Sequence, residues 1–330
     1  TPWTTGWRIC VGVEGIIGAE LENGSDRWRV QRDALMKGRQ MRYAAPATVD
    51  EARTLLSDNP GSQVFAGATD LVPQIRAGRP SPSMVVDLKR IDRLTAVIHE
   101  GGQWTIGAAT PTADLTRNAE FTAMFPGLSE AAGLIGSDQI QNRSSLGGNL
   151  ANASPAADSV PALIANAGQA VIASGDGTRT VPAADIATGP GRTSLADGEF
   201  IIEFTLDDPP AGTGDAYLRM IPRTEMDIAI AGAAVRLTIA DGTVSDATVI
   251  LGAVAPTAVA VTDAETALVG AALNGGRFDD ATLDAVAAAA SAACDPIDDK
   301  RGTVAYRRQV AGVLAKRAAT VAAERAQNGV

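Results

Sequence analysis

From Met41 onward the apolar and polar positions fall into two alternating periods. Thr48, the acids Asp50 and Glu51, and Ala52, Leu55 and Leu56 on one face predict a capped helix. Asn59, Pro60 and Gly61 stop it. Gln63 to Ala66 reads as a short strand, Leu71 to Arg76 as a helical turn and Met84 to Leu88 as a second strand. Ala96 to His99 and Trp104 to Gly107 alternate on either side of Glu100-Gly101-Gly102, the pattern of a hairpin. Thr112 to Arg117, Leu128 to Ile135 and Ser159 to Asn166 carry helical spacing, while Ala170 to Ala173 and Gly198 to Leu206 read as strands.

Asp207-Asp208-Pro209-Pro210-Ala211-Gly212 breaks both periods and marks a domain boundary. Beyond it come the strands Ala216 to Ile221, Ile228 to Ala240 and Val244 to Val254. Helices near Ala264 to Val269, Ala281 to Ala293 and Val304 to Glu324 follow. Strands followed by helices are an α+β order, and the alanine-rich run has the composition of a packed helix. Residues 1–40 hold three of the four tryptophans without a clear period. They read as an amino-terminal extension outside the core, or as an arm for a partner subunit.

A formal charge of -10 and a pI near 4.7 argue against nucleic acid or an anionic membrane as the main partner. No run approaches the roughly 18 apolar residues of a membrane span, and the first residues lack a signal-peptide pattern, so a cytoplasmic location is the default expectation. Cys10 and Cys294 form no paired spacing, and the single histidine, His99, lies in an alternating strand. Triads, Cys-His pairs and multi-histidine metal sites lack their parts. Any redox or transfer chemistry therefore falls to a bound cofactor.

Two stretches look built for a ligand. Gly136 to Asp158 combines adjacent glycines, three asparagines and four hydroxyl side chains without an apolar period, so neither a core helix nor a strand is expected there. A strand running into Gly67-Ala68-Thr69-Asp70 and a helix start leaves backbone N–H groups without partners. Such a loop suits phosphate, and two of them suit a pyrophosphate, although spacing does not name the ligand.

Phe65 to Leu71, Gln139 to Asp158, Met226-Asp227-Ile228-Ala229 and the late Gly302-Thr-Val-Ala-Tyr-Arg-Arg resemble the medium, flavin-binding subunit of molybdenum hydroxylases, the carbon monoxide dehydrogenase and xanthine dehydrogenase group. The resemblance runs from about Met41 to Glu324. It implies an α+β chain with a two-subdomain FAD-binding fold of the vanillyl-alcohol-oxidase/MurB type over residues 41–212, split near 93–95. A carboxy-terminal domain over 213–330, a three-stranded antiparallel sheet plus helices, would follow. It also implies noncovalent FAD, a small 2Fe-2S subunit and a large molybdenum-cofactor subunit as partners, and NAD, quinone or oxygen as the external acceptor.

Carried onto this chain, the resemblance makes Ala66, Gly67, Ala68, Thr69 and Asp70, with Ser145, Leu146, Gly147, Gly148 and Asn149, the holders of the FAD pyrophosphate. They would act through backbone N–H groups and the Thr69 and Ser145 hydroxyls. Asp158 would bond ribityl or ribose hydroxyls, a role compatible with capping the helix from Ser159. Ile135 and Ile228 would lie near the isoalloxazine ring and Ile201 against it. The chain departs from the family pattern in four places: Ala68 for glycine, Ser145-Leu146 for Thr-Ile, Gln141 for arginine, and Arg219 for lysine. The cysteines of the family's extra iron-sulfur insertion are missing, and a covalent flavin would need His99 in a ligand loop. A stand-alone flavin oxidoreductase, or a structural subunit without flavin, are the other readings; Ala68 and Gln141 support the second.

Overall fold

The structure, a computed structural model, describes residues 41–175, 177–224 and 226–328; the expected amino-terminal extension lies outside the described residues. Strands β1 (Arg42–Ala44), β2 (Gln63–Phe65) and β3 (Met84–Asp87) form a parallel sheet in the order β1-β3-β2. Helix Val49–Asp58 crosses between the first two, and the Thr48 hydroxyl accepts the Glu51 N–H at 3.1 Å, as the capping pattern predicts. Its fully buried Ala52 joins Met84, Val86 and Leu88 in a core that also takes Phe200 and Ile202 from the next sheet.

That second sheet uses β4 (Val97–Glu100), β5 (Gln103–Gly107), β6 (Gln169–Ser174) and β7 (Gly177–Pro182). After the short hairpin β8 (Ala187–Gly189) and β9 (Arg192–Thr193), β10 (Phe200–Asp207) completes it in the antiparallel order β4-β5-β10-β6-β7. β7 escapes sequence reading because it is an edge strand of small and polar residues that buries no full apolar face. Helices Thr112–Arg117, Ala119–Met124, Pro126–Gly133 and Ser159–Ala165 belong to this part of the chain. The third starts two residues before the predicted Leu128, with Pro126 in its first turn.

One expectation is overturned here. Gly136 to Asp158 contains two helical turns, Asp138–Gln141 and Leu146–Ala151. Leu146 and Leu150, four residues apart, lie on one helical face and are buried in the main core. A six-residue helix is too short to show a period, which is why its sequence reads as loop.

The carboxy-terminal sheet has β11 (Thr213–Met220), β12 (Ala231–Ala240), β13 (Thr243–Gly252) and β14 (Val259–Ala260), all antiparallel and in that order. The two-residue β14 is a fourth strand beyond the three expected, and β12 starts at Ala231 rather than Ile228. Alternation divides its two faces. Val235, Leu237, Val249 and Leu251 join a core with helices Thr262–Leu268, Asp280–Ala292 and Val304–Asn328, whereas Tyr217, Ala234 and Ile250 join the core beneath the second sheet. Helix Val304–Asn328 approaches so closely that a Cβ on Gly214 would collide with its backbone at Ala322 and Ala326. Its buried stripe of Ala311, Ala315, Ala318, Ala319, Ala322 and Ala323 permits this approach. Asp215 bolts the two parts together: its buried carboxylate accepts the Gly127 and Leu128 N–H groups at 2.9 and 3.1 Å and the Asn166 amide at 2.8 Å. No helix among the described residues is long and apolar enough to cross a membrane.

Candidate functional site

A cleft of about 400 Å³ opens beside the first sheet, within the range of small-molecule and cofactor sites. One wall is the turn after β2, Ala66 to Leu71; a second is Ser144 to Asn149 at the start of helix Leu146–Ala151; a third is Thr193 to Ile201, leading into β10. Of the residues expected at the site, Ala66, Gly67, Ala68, Thr69, Asp70, Ile135, Ser145, Gly147, Gly148, Asn149 and Ile201 line this cleft. Leu146 faces the core instead. Asp158, Arg219 and Ile228 lie outside the lining.

The first wall owes its shape to the end of a strand that cannot continue. Ala68 takes φ +58°, the left-handed conformation that disfavours a Cβ, and Asp70 precedes helix Leu71–Arg76 without capping it. The backbone N–H groups of Gly67, Ala68, Thr69, Asp70 and Leu71 have no acceptor among the described residues. Five consecutive free donors at a helix start form a concave array of positive dipole. Lys89 fixes the array from behind, donating at 2.6 Å to both the Ala66 carbonyl and the Asp87 carboxylate and lying 4.4 Å over the Phe65 ring. Burial pushes the Asp87 carboxyl up, but hydrogen bonds from Lys89 and Tyr43 outweigh it and hold the group below its ordinary range. Partial burial raises the Asp70 carboxyl.

The second wall is more self-contained. Ser145 caps helix Leu146–Ala151 by accepting the Gly148 N–H at 3.0 Å, and the Gly147 N–H donates to the Ala108 carbonyl at 3.1 Å. The Asn149 side chain accepts from the Ser159 N–H and hydroxyl at 3.3 and 2.7 Å, tying this wall to helix Ser159–Ala165. The three glycines of the first two walls serve different needs. A Cβ on Gly67 would collide with the Arg143 carbonyl, and one on Gly147 with the Ala108 carbonyl, so backbone meeting backbone demands glycine at both. At Gly148 the nearest atom to an added Cβ is the Ser145 hydroxyl at 3.3 Å, so among these three only this glycine has room for a side chain.

Asp158 does not cap the helix that follows it. Its carboxylate accepts the Tyr217 hydroxyl at 3.0 Å and the Arg219 guanidinium at 2.5 Å, joining helix Ser159–Ala165 to β11. Burial raises its pKa to about 6 against the opposing pull of Arg219 and Tyr217. Burial, reinforced by Asp158, drives the Tyr217 hydroxyl well above its ordinary value. Ile201 sits where the β10–β6 register slips between Ile201 and Glu203, a bulge at the cleft wall. Ile228 is half exposed on the segment between β11 and β12. Gln141 donates to the Gly133 carbonyl at 2.6 Å and ends a helix. His99 stacks on Trp104 at 4.4 Å and bonds Glu120 and Asp208, away from the cleft lining.

Sequence reading missed Lys89, the third wall apart from Ile201, and a bridge in which Gln74 Nε2 donates to Asn152 Oδ1 at 3.0 Å between the first two walls. The residues of that bridge are 78 positions apart and share no motif. A repeat of two glycine-containing turns was the only local signal. Chemically, five free donors with open space opposite them suit a diphosphate, and the apolar Ile135 and Ile201 nearby suit a planar, water-averse group.

Residues 39–207 match the family described as FAD binding domain in molybdopterin dehydrogenase, and residues 216–322 match the CO dehydrogenase flavoprotein C-terminal domain. Over 281 residues the chain is 34% identical to the carbon monoxide dehydrogenase medium chain of Hydrogenophaga pseudoflava, covering 85% of this chain and 96% of that one. It is 33% identical to the xanthine dehydrogenase FAD-binding subunit of Escherichia coli O157:H7, with 70% and 80% covered. Among solved structures, carbon monoxide dehydrogenase from Hydrogenophaga pseudoflava lacking the Mo-pyranopterin moiety superposes with a TM-score of 0.82 at 36% identity, covering 87% and 98%. Quinoline 2-oxidoreductase from Pseudomonas putida 86 superposes with a TM-score of 0.81 at 27% identity, covering 88% and 99%.

Proposed function

The chain belongs to the FAD-binding flavoprotein family of the molybdopterin dehydrogenases, and from that membership we propose that its cleft holds the diphosphate of noncovalent FAD. The observation that carries this is the run of five free backbone N–H groups from Gly67 to Leu71 opposite the open face at Gly148. An acidic protein that binds a dianion must meet it with aligned dipoles, and this loop supplies them. The Thr69 and Ser145 hydroxyls add donors. Ile135 and Ile201 exclude water from the ring. Asp158, neutralised by Arg219, keeps acceptor sites for a ribityl hydroxyl.

Bound there, FAD supplies one- and two-electron redox chemistry; the chain's residues bind, orient and electrostatically tune it. In this reading the subunit takes electrons from the 2Fe-2S clusters of a small partner subunit, fed by a molybdenum-cofactor large subunit. It then delivers them to an external acceptor, NAD, quinone or oxygen. No side-chain acid or base is required for that relay. We place the assembly in the cytoplasm, the default for an acidic chain without a disulfide framework.

Titration of the flavin-free full chain with FAD, followed by co-purification with a molybdenum and a 2Fe-2S subunit, tests the reading. One FAD per chain, reduced when the partner's clusters are reduced, is the expected result. A chain that assembles with both partners yet takes up no FAD would overturn it.

A further inference from the structure

The cleft wall carries three carboxylate residues, Asp70, Asp197 and Glu199, and one cationic residue, Arg79. Glu199 is already committed, accepting from Arg179 at 2.9 and 2.6 Å. Arg79 differs. It follows helix Leu71–Arg76 across Gly78, which takes φ +98°, and its backbone N–H returns to the Gln74 carbonyl at 3.0 Å. Its guanidinium donates to the Gln74 side-chain oxygen, a neutral amide. Among the described residues it forms no ion pair with a carboxylate. Gln74 in turn donates to Asn152 at 3.0 Å, so the chain Arg79–Gln74–Asn152 runs from the first wall to the second.

What sets this guanidinium apart is its place: among the described residues it is the one cationic side chain lining the cleft, and it is held by a neutral amide beside the free donors of the first wall. Backbone dipoles contribute fractional charge, whereas a diphosphate carries two full negative charges into a wall that is otherwise acidic. We propose that Arg79 is the cofactor's fixed counter-charge, a binding residue for the diphosphate, and that Gln74, braced by Asn152, positions it. The planar fork of arginine suits two phosphate oxygens at once. This inference rests on the reading of the cleft as the FAD diphosphate site.

The test is direct titration of the flavin-free full chain and its Arg79→Gln and Arg79→Lys variants with FAD, ADP and riboflavin at low and high salt. Arg79 is exposed, so thermal midpoints of both variants should match the parent. Arg79→Gln should weaken FAD and ADP by about tenfold to a hundredfold, the usual effect of losing a charged hydrogen bond. Riboflavin, which has no phosphate, should bind as before, the salt dependence of FAD binding should flatten, and Arg79→Lys should recover part of the loss. Unchanged FAD affinity in Arg79→Gln, with the parent binding FAD, would overturn the role of Arg79 while leaving the cleft reading intact. Equal losses for FAD and riboflavin would also overturn it, and a parent that binds no FAD would overturn both.

Discussion

Replacing Gly148 with valine separates cofactor binding from folding, because of the three glycines in the first two walls, Gly67, Gly147 and Gly148, only this one has room for a side chain. At Gly67 and Gly147 an added Cβ runs into the carbonyls of Arg143 and Ala108, and forcing it in costs about 1–3 kcal/mol or more. At Gly148 the nearest atom is the Ser145 hydroxyl, 3.3 Å away, and the helix gains from losing a glycine, by about 0.5–1 kcal/mol for alanine and less for valine. Crowding the Ser145 cap costs up to about 1 kcal/mol, so the two effects nearly cancel and the fold should survive. The cofactor should not. Valine at this position pushes the diphosphate off the Gly67 to Leu71 donors; losing two charge-assisted bonds of about 1.5–3 kcal/mol each removes at least about 3 kcal/mol. That is roughly a hundredfold in affinity. The assay pairs a thermal melt of the flavin-free chain with an FAD titration. Full FAD affinity in Gly148→Val would show that the diphosphate lies elsewhere, and a collapsed melt would refute the claim of open space.

Asp215→Ala strands the Gly127 and Leu128 N–H groups in the core and takes an acceptor from Asn166; urea denaturation should register a loss of about 3–5 kcal/mol. Ala68→Gly relieves a left-handed alanine at φ +58°. Relief of about 1–2 kcal/mol, less about 0.5–1 of glycine entropy, leaves a gain of about 0.5–1 kcal/mol, visible as a higher denaturation midpoint. Glu120, opposed by burial and helped by Asp208, raises the His99 pKa. Its stabilising contribution is therefore full below the ordinary value of about 6.5 and is lost as pH rises through the raised folded value. As the only histidine, His99 gives one imidazole NMR titration, and a midpoint at or below the ordinary value would refute the Glu120–His99–Asp208 arrangement.

Much of the fold was legible because its elements carry strong local signals. The Thr48 cap, the hairpin across Glu100 to Gln103 and the alternation of Val235 and Leu237 declare their structure within a few residues. The turn from Gly67 to Asp70 was legible for the same reason, since a strand followed by a glycine turn and a helix start leaves free N–H groups wherever it occurs. Elements without a local signal were missed: the polar edge strand β7, the two-residue β14, and helix Leu146–Ala151, whose two buried leucines span barely one turn.

What the sequence alone determined is the identity and order of the two glycine-containing turns that line the cleft, and that one histidine and two separated cysteines supply neither a histidine triad nor a cysteine cluster. Tertiary structure decided why each residue of those loops is what it is. Gly67 and Gly147 are glycine because carbonyls from distant segments press against them, not because a ligand does. Asp158, expected as a cap or a cofactor ligand, spends its charge on Arg219 and Tyr217, two residues that β11 brings to it. Arg79 is linked to the second wall through Gln74, which reaches Asn152. Close approach and charge pairing are properties of neighbours in space, and chain spacing encodes them only after the walls have come together.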